Sequence, residues 1–387
     1  MITMFRLKSN LIPALFATSL LYPSISQACT SLLYTDAKGA PYAGRTMELP
    51  VQLDYNVAFY PVGSNFSSQA DKHVALDYQA KHSFLSITVP DPVTKDLKVV
   101  EGINDKGLSF SVLAFASTKG PADMSEKTQK ILSAIDLGSW VLSQFKTVGE
   151  VKVALEKQPV LVTALLPMGL LKTPFHYTIH DANGDSIVIE FSDGEQHIYD
   201  NKLGVMTNGP EFTWHLTNLN NYTFLSNIDK SELKIGGLTF TQPDSGIATN
   251  GLPASNTSVG RFVRAVYYSQ FAEKAKTPDE AVTTLAHIMN NFDRPRGITV
   301  DSRVDDALQD KVAPGVTGHS MYTSEYSTWT TLSDLKRLRL SIRPYESLNY
   351  ITFDLNELSK HSESIVVPLS HFPIDISNGT TKLLSGD

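Results

Sequence analysis

The 387-residue sequence contains a single cysteine, Cys29, and the residues before it look removable. Arg and Lys occur within the first ten residues, residues 11–25 are largely apolar, and Ser-Gln-Ala occupies residues 26–28. Signal peptidase accepts small residues at positions −3 and −1, so the pattern predicts a signal peptide over residues 1–28. Cleavage there would leave Cys29 first in the chain, with a thiol that titrates near roughly 8.5 beside an α-amine that titrates at roughly 7.7–8.0. We therefore expect a nucleophile and its base on one residue.

Two other interpretations of Cys29 remain open at this point. Bacterial lipoproteins also carry cysteine at the first mature position, although their processing favours a Leu-like residue at −3, where this chain has Ser26. In that case the protein would be a lipid-anchored binding protein. Alternatively, Cys29 is a small buried hydrophobic residue, since free cysteines are among the most buried residue types.

The composition excludes several functions. The formal net charge of −7 provides no basic surface for nucleic acid. No apolar stretch after residue 25 reaches the roughly 20 residues of a transmembrane helix. The ten histidines show no zinc-like spacing, and neither a glycine-rich phosphate loop nor Gly-x-Ser-x-Gly occurs. We therefore expect a soluble mature chain that needs no metal or organic cofactor and is stabilised by its core, because one cysteine forms no internal disulfide.

The elements that must position Cys29 follow from hydrophobic periodicity. Alternating apolar residues predict strands over residues 30–34, 55–60, 84–89, 97–100, 108–115, 176–180, 186–191, 203–207, 327–332, 337–342 and 350–354. Helical spacing and Thr-x-x-Glu capping boxes predict helices over residues 125–145, after Thr147, over residues 261–275 and after Thr277. Asn104 and Gly107 are interpreted as structural turn residues. This order of elements favours an α+β fold with two largely antiparallel sheets and helices outside them.

Five short stretches carry a resemblance to a known family. They occur, in this order, at residues 29–30 (CT), 44–48 (GRTME), 101–108 (EGINDKGL), 207–215 (TNGPEFTWH) and 251–264 (GLP through GRFVR). Together with a leader that ends directly before the cysteine, they resemble the choloylglycine hydrolase family of N-terminal nucleophile hydrolases, which includes bile salt hydrolases and penicillin V acylases. The resemblance implies a single four-layer αββα sandwich over residues 29–387. It also implies that the cysteine lies on a central strand between the two sheets.

The resemblance implies a role for each matched residue. Cys29 would attack an amide carbonyl as its thiolate, and its own α-amine would carry the proton to the leaving amine. Arg45 matches an arginine beside the thiol, where a fixed positive charge lowers the thiol pKa. Asn208 matches the side-chain donor of an oxyanion hole, and Arg261 matches a second arginine of the site. Taken alone, Arg45 would be one half of a surface ion pair and Asn208 a turn residue before Gly-Pro.

Two positions depart from the family pattern. Where bile salt hydrolases have an aspartate that holds the α-amine, this chain has Glu48, which keeps the charge and adds a methylene. Where they have an asparagine and penicillin V acylases a tyrosine, this chain has Ala114. In the family the backbone N–H of that residue serves the oxyanion hole, and alanine still supplies one. Its methyl group, however, offers no polar contact for selecting a substrate.

We therefore expect an exported amidohydrolase, periplasmic or secreted, that acts through a thioester on Cys29. Its small-molecule substrate would be an acyl amide such as penicillin V, an N-acyl homoserine lactone or a conjugated bile salt. An acyltransferase that uses the same thioester is an alternative, as is the lipid-anchored binding protein. The family resemblance also implies a possible homotetramer, in which residues 216–252 would exchange contacts between subunits. These residues lack a clear pattern and are expected to form a long excursion.

Overall fold

The computed structural model describes residues 28–91, 94–121, 128–163, 174–302 and 322–372. Its strands, numbered in chain order, are β1 (Ala28–Thr35), β2 (Pro41–Leu49), β3 (Asn56–Tyr60), β4 (Asn65–Ser68), β5 (Leu76–Gln79), β6 (Phe84–Pro90), β7 (Leu97–Asn104), β8 (Ser109–Ala114), β9 (Leu132–Ser133), β10 (Val160–Leu161), β11 (Phe175–His180), β12 (Ser186–Ser192), β13 (Glu195–Asp200), β14 (Glu232–Ile235), β15 (Leu238–Thr241), β16 (Asp301–Ser302), β17 (Tyr322–Thr323), β18 (Tyr326–Asp334), β19 (Arg339–Pro344), β20 (Ile351–Asp354) and β21 (Ile365–Pro368). Its α-helices are α1 (Leu137–Gln144), α2 (Val148–Leu155), α3 (Phe212–Asn218), α4 (Ser258–Phe271), α5 (Pro278–Asn290) and α6 (Leu355–Leu358), and 3₁₀ turns lie at Ala134–Asp136, Leu219–Tyr222, Ile247–Gly251 and Leu369–His371. Within the described ranges, no helix combines the length and the apolar character needed to span a membrane.

Two antiparallel sheets pack face to face. The smaller has the strand order β1-β2-β18-β19-β20, and the larger has the order β13-β12-β11-β8-β7-β6-β3-β21. α4 and α5 cover the outer face of the smaller sheet by packing on β1, β2 and β18, whereas α1 covers the larger sheet on β7 and β8. Between the sheets, β1 packs against β8. The predicted α+β class and four-layer αββα sandwich are confirmed.

Two apolar cores hold these layers together. One contains Trp329 and Leu285 and runs between the sheets and under α5. The other contains Phe110 and Val141 and lies between the larger sheet and α1. α5 approaches β2 so closely that a Cβ on Gly44 would lie 2.7 Å from the Met289 sulfur. A larger side chain at Gly44 would therefore have to displace Met289 or Leu285, which pack α5 onto the strand that carries Arg45 and Glu48.

The register of β1 with β2 decides which side chains share a face. Cys29 pairs with Met47 and Ser31 pairs with Arg45, so these four side chains lie on one face, directed toward the larger sheet. The residues between them alternate to the other face, which α4 covers. Glu48 is opposite Ala28 on that second face.

β1 lies at the edge of its sheet, so the expected central position of the cysteine strand is wrong. The other strands of the sheet, β18, β19 and β20, lie on the opposite side of β2 from β1. The free edge of β1 is nevertheless covered, because Ser31 exchanges backbone hydrogen bonds with Met206 (2.8 and 2.9 Å) and Leu33 donates to Gly204 (2.9 Å). Residues 203–207, which were predicted as a strand, thus contribute a single bridge rather than a full strand.

The predicted helix over residues 125–145 is correct only in its last part. Residues 125–127 lie outside the described residues, while β9 and a 3₁₀ turn precede α1. Residues 132–133 pair in parallel with β10 instead of continuing the helix. Since residues 137–143 are all buried, α1 has buried positions on every side, and its hydrophobic periodicity carries little information about where it begins.

The capping predictions are confirmed to different degrees. α5 has the complete box: Thr277 accepts from the backbone of Glu280, whose carboxylate accepts from Thr277. At α2, Thr147 accepts from the backbone of Glu150 (3.2 Å), but that carboxylate accepts from the N–H of Lys146 (2.8 Å). α4 begins at Ser258, three residues before the predicted start, and is capped by Thr257.

The turn between β7 and β8 is structural, as predicted. The Asn104 amide donates to the carbonyls of Leu142 (2.8 Å) and Phe145 (2.7 Å) and thereby fastens the end of α1 to the larger sheet. Its oxygen accepts from the backbone N–H groups of Lys106 and Leu108, both at 3.0 Å. Gly107 has φ +76°, a conformation that favours glycine.

Residues 216–252 form the expected excursion, although it contains more structure than the sequence indicated. A hairpin of β14 and β15 lies within it, together with two 3₁₀ turns. Seven of its large apolar side chains are exposed, namely Leu216, Phe224, Ile228, Leu233, Ile235, Leu238 and Phe240.

Candidate active site

Cys29 lies between the two sheets and is 2% exposed. The distance from the Cys29 sulfur to Arg45 Nη2 is 3.7 Å, and its distance to the Met47 sulfur is 3.8 Å. The backbone N–H of Ala114, at the end of β8, points to the same sulfur and stabilises its anionic form. Because Ala28 precedes it in the described chain, the nitrogen of Cys29 is here a peptide N–H that stands in for the α-amine of a cleaved chain.

Arg45 is fixed by partners on three sides. Its guanidinium lies 4.8 Å from the ring centre of Trp329, its Nε is 3.6 Å from a carboxylate oxygen of Glu101, and its Nη2 donates to the carbonyl of Val112. That carbonyl is available because β7 pairs with β8 only as far as Ser111. The same early end of the ladder frees the N–H of Ala114 to face Cys29. Because β8 is unpaired with β7 beyond Ser111, the Val112 carbonyl and the Ala114 N–H are available to the site.

The pKa of the Cys29 thiol is raised, although Arg45 lowers it in the expected direction. Burial is the largest cause, since a thiolate loses its hydration between the sheets. Arg45 and Arg261 lower the pKa, but Glu48 raises it again. In the uncleaved chain, therefore, the arginines offset only part of the burial cost.

Asn208 holds the nitrogen of Cys29. Its Oδ1 accepts from the Cys29 N–H at 2.7 Å and from Arg261 Nη2 at 2.7 Å, and its Nδ2 donates to the carbonyl of Ala114 at 2.8 Å. The orientation of the amide is fixed by chemistry, because only the oxygen can accept from two donors and only the nitrogen can donate to a carbonyl. One N–H of Nδ2 is left to serve another acceptor.

Arg261 joins α4 to β1. It is the fourth residue of the helix and is 1% exposed. Its Nη1 donates to the carbonyl of Cys29 and to the Thr30 hydroxyl (2.8 Å), and its Nε donates to the carbonyl of Asn256 (3.0 Å). Burial lowers the pKa of the guanidinium and the nearby Glu48 carboxyl raises it. A cation near the start of a helix is unfavourable by itself, so its contacts with the cysteine backbone explain its position.

Glu48 is fully buried opposite Ala28, and neither of its carboxylate oxygens has a hydrogen-bond partner among the described residues. Burial raises its pKa to about 7, although Arg261 and the neighbouring hydroxyl of Thr46 lower it. An ion pair between Arg294 and Glu325 lies close enough to act on it, and the two charges have opposite effects. Among the described residues, the carboxyl is therefore a buried acceptor without a hydrogen-bond donor in good geometry, and the Arg261 charge and the Thr46 hydroxyl offset only part of its burial.

The fold brings the six predicted site residues into one connected group. Arg45 and Ala114 contact the sulfur of Cys29, while Asn208 and Arg261 contact its backbone. Glu48 acts on this group through its charge and makes no direct hydrogen bond.

The sequence interpretation missed Glu101, the carboxylate beside Arg45. Its pKa is raised to about 7 by burial, with Arg45 and the Ser111 hydroxyl lowering it. Glu101 begins the 101–108 stretch, and a carboxylate inside a buried strand was a signal for a buried cation nearby. The described residues contain no group of three or more His, Cys, Asp or Glu side chains placed to hold a metal ion.

Comparison with known proteins identifies the family. Residues 29–358 match the model of the linear amide C–N hydrolases, choloylglycine hydrolase family. The chain belongs to this family. The match begins at Cys29, the residue on which the site is centred.

Curated relatives agree with this membership. The chain is 29% identical to a bile salt hydrolase/transferase of Clostridium perfringens over 274 residues, which covers 70% of this chain and 80% of that protein. It is 26% identical to the penicillin V acylase of Pectobacterium atrosepticum over 370 residues, which covers 92% and 88%.

Solved structures share the fold. A variant of the conjugated bile acid hydrolase from Clostridium perfringens superposes with a TM-score of 0.74 at 23% identity and covers 91% of this chain and 99% of that one. The penicillin V acylase from Agrobacterium tumefaciens superposes with a TM-score of 0.68 at 24% identity and covers 88% and 92%. Both likenesses support the αββα assignment of this linear amide C–N hydrolase.

Proposed function

We propose that the protein hydrolyses a linear acyl amide through a thioester on Cys29, after cleavage between Ala28 and Cys29. One observation carries this proposal: the sulfur and the nitrogen of one residue are both held, by Arg45 Nη2 at 3.7 Å and by Asn208 Oδ1 at 2.7 Å. A structural cysteine needs neither contact. The two contacts together orient a nucleophile and a base toward the same point in space.

The reaction follows from these contacts. The α-amine takes the thiol proton, and the thiolate attacks the amide carbonyl carbon to form a C–S bond. The N–H of Ala114 and the second N–H of Asn208 Nδ2 are placed to donate to the resulting oxyanion, where one donor contributes about 2.7–4 kcal/mol of transition-state stabilisation. The α-ammonium then gives its proton to the leaving amine as the C–N bond breaks. Water, deprotonated by the α-amine, hydrolyses the thioester and releases the acid.

Glu48 gains its donor in the cleaved chain. The new α-ammonium forms next to the position of Ala28, which is the residue opposite Glu48 in the β1–β2 pair. An ammonium beside the buried carboxylate would lower the raised pKa of Glu48, because an opposite charge favours ionisation. Glu48 then fills the position that aspartate has in bile salt hydrolases, with one extra methylene.

The substrate is proposed at the level of a class. Relatives named bile salt hydrolase/transferase and penicillin V acylase cleave or transfer acyl groups of small molecules, so the panel for this chain is conjugated bile salts, penicillin V and N-acyl homoserine lactones. Ala114 offers these substrates only a methyl group beside the oxyanion donors. Acyl transfer from the same thioester to an amine is the second candidate, favoured by the name of the first relative.

The location and assembly are also proposed. Residues 1–28 have the pattern of an export signal, which supports a periplasmic or secreted mature protein. The exposed apolar side chains of the β14–β15 hairpin support a homo-oligomer, with a tetramer as the family expectation.

The test is substitution of Cys29 by Ala and by Ser, assayed over that panel. Cys29→Ala is expected to abolish hydrolysis, and Cys29→Ser to retain under about 1% of it, because a hydroxyl is a far weaker nucleophile at its ordinary pKa. Urea unfolding is the control for an intact fold. Hydrolysis that persists in folded Cys29→Ala contradicts the mechanism, and a diacylglyceryl group on Cys29 in the mass of the mature protein supports the lipid-anchored binding protein instead.

A further inference from the structure

A loop that carries Asn208 is held by buried groups away from the reacting atoms. Residues 207–212, here called the Asn208 loop, connect the segment beside β1 to α3. At its start, His176 Nε2 donates to the carbonyl of Thr207 at 2.8 Å. At its end, both carboxylate oxygens of Glu190 accept from the N–H of Phe212, at 2.9 and 3.2 Å.

His176 and Glu190 contact each other as well as the loop. His176 Nδ1 lies 3.1 Å from Glu190 Oε1, and neither side chain is exposed to solvent. The imidazole stacks on Phe115 with ring centres 4.9 Å apart and planes 2° from parallel. The two side chains come from neighbouring strands, β11 and β12, so their relative position is fixed by the larger sheet.

A single proton must lie between these two residues. The Thr207 carbonyl can only accept, so Nε2 carries a hydrogen. Without a second proton, the lone pair of Nδ1 would face the carboxylate of Glu190, which is repulsive in a buried site. The contact between Nδ1 and Glu190 Oε1 is therefore a hydrogen bond, and the pair is satisfied at all three contacts.

The middle of the loop has a separate support. His215 Nε2 donates to the carbonyl of Asn208 at 2.9 Å, and its ring stacks on Phe262 at 4.5 Å. Phe262 follows Arg261, which contacts Asn208 Oδ1. The backbone of Asn208 is thus fixed from the helix side, whereas the ends of its loop depend on the His176–Glu190 pair.

We infer that His176 and Glu190 form a positioning pair for the oxyanion donor: they set the place of Asn208, whose Nδ2 and Oδ1 serve Cys29, and touch neither the sulfur nor the amide being cleaved. The role in catalysis rests on the proposed function. Loss of the pair leaves the Thr207 carbonyl and the Phe212 N–H unsatisfied, and the loop relaxes away from β1. A shift of about 1 Å at a reacting group can cost roughly 100-fold in rate.

The experiment compares two substitutions of the pair with a matched control. His176→Phe keeps the ring stack on Phe115 and removes both hydrogen bonds, so kcat is expected to fall about 10- to 100-fold while KM stays within about threefold. Glu190→Gln is the conservative rescue: its amide can donate to Nδ1 and its carbonyl can accept from Phe212, so kcat is expected within about threefold of the unsubstituted protein. Thr178→Val is the control, since Thr178 is buried two residues further along β11 and its hydroxyl bonds only within the sheet, to Ile187.

Two results would overturn the inference. The first is folded His176→Phe protein with kcat within about threefold of the unsubstituted chain, and the second is an equal loss of kcat in Thr178→Val. If His176→Phe does not fold, Glu190→Leu takes its place with the same expected loss. A crystal structure of the variant gives a readout independent of activity: the inference requires Asn208 Oδ1 to leave hydrogen-bonding distance of the Cys29 nitrogen, and an unchanged contact contradicts it. If the unsubstituted protein cleaves no amide of the panel, the proposed function fails, and that structural readout alone decides the positioning role.

Discussion

The two faces of the β1–β2 pair handle charge differently. On the sulfur face, which holds Cys29 and Arg45, the guanidinium meets Glu101, the carbonyl of Val112 and the ring of Trp329. On the amine face, which α4 covers, the Glu48 carboxyl has no hydrogen-bond donor among the described residues. The charges of the sulfur face therefore pair with each other, although Arg45 Nε, Arg45 Nη1 and Glu101 Oε2 make no hydrogen bond among the described residues. On the amine face, Arg261 acts on Glu48 by its charge without a hydrogen bond to it.

Under the proposed cleavage before Cys29, the two faces would be completed at different times. Folding alone supplies every partner of Arg45. The cation that suits Glu48 is an α-ammonium beside it, which only cleavage before Cys29 creates. The raised pKa values of both Cys29 and Glu48 describe the chain before that event.

The largest loss of stability and activity is expected when Arg261 is replaced, because its guanidinium serves both the Cys29 carbonyl and the amine face. Arg261→Met leaves the Cys29 carbonyl and Asn208 Oδ1 short of a donor and removes the cation that acts most strongly on Glu48. We expect a loss of about 3–5 kcal/mol in the free energy of unfolding, measured with urea, and at least about a 100-fold loss of kcat. Arg264→Met, one turn along α4, is the control: its guanidinium donates to loop carbonyls and not to β1, so kcat should change little. Comparable losses of kcat in both variants would remove the special role of Arg261.

A second prediction concerns the sign of a stability change. Because burial raises the pKa of Glu48 to about 7, the folded uncleaved chain keeps a proton that the unfolded chain releases near pH 4.5. This stabilisation is complete below about pH 4.5 and is lost as the pH rises through about 7, a difference of about 3 kcal/mol. In a chain that begins at Ser26, Glu48→Gln should therefore increase the free energy of unfolding at pH 8. In a chain that begins at Cys29 it should decrease it, since the α-ammonium loses its partner.

The matched control for this prediction is Glu101→Gln on the sulfur face. The pKa of Glu101 is also raised to about 7 by burial, but its neighbours are the same before and after cleavage. Its effect on the free energy of unfolding at pH 8 should have one sign in both chains. If Glu48→Gln changes the free energy of unfolding in the same direction in both chains, the α-ammonium of Cys29 does not pair with Glu48.

The smallest effect is expected from the charge beside the sulfur. Arg45 lowers the pKa of the Cys29 thiol against the larger effect of burial. Arg45→Met should therefore raise that pKa further and slow alkylation of Cys29 by iodoacetamide at pH 7 by about tenfold. The rate measured from pH 6 to 10 gives the apparent pKa directly. A rate that is unchanged or faster would show that Arg45 does not influence the thiol.

The sequence predicted the residues of the site better than their environment. Cys29 and Arg45 lie on adjoining strands in short local motifs, and the Thr277 capping box is also local. The edge position of β1 depends on how distant strands add to the sheet, which no local pattern specifies. The raised thiol pKa likewise depends on burial between two sheets, and a motif match identifies an arginine without saying how much hydration the sulfur loses.

Two kinds of site residue remained outside the prediction for similar reasons. Glu101 and the His176–Glu190 pair reach the site through contacts that are distant in sequence. The helix predicted over residues 125–145 began too early because α1 is buried on all sides and has no exposed polar face to mark its period. In each case the sequence does not specify which distant segments of the chain pack against each other.

The most direct test of the central claim is the activity of two otherwise identical chains, one beginning at Cys29 and the other at Ser26. Removal of the initiator methionine gives both, and mass spectrometry of each purified protein verifies its first residue. The chain that begins at Cys29 is predicted to hydrolyse an amide of the panel at least about 100-fold faster, because only its cysteine carries the α-amine that serves as general base. Equal rates from two proteins with verified first residues would contradict the account.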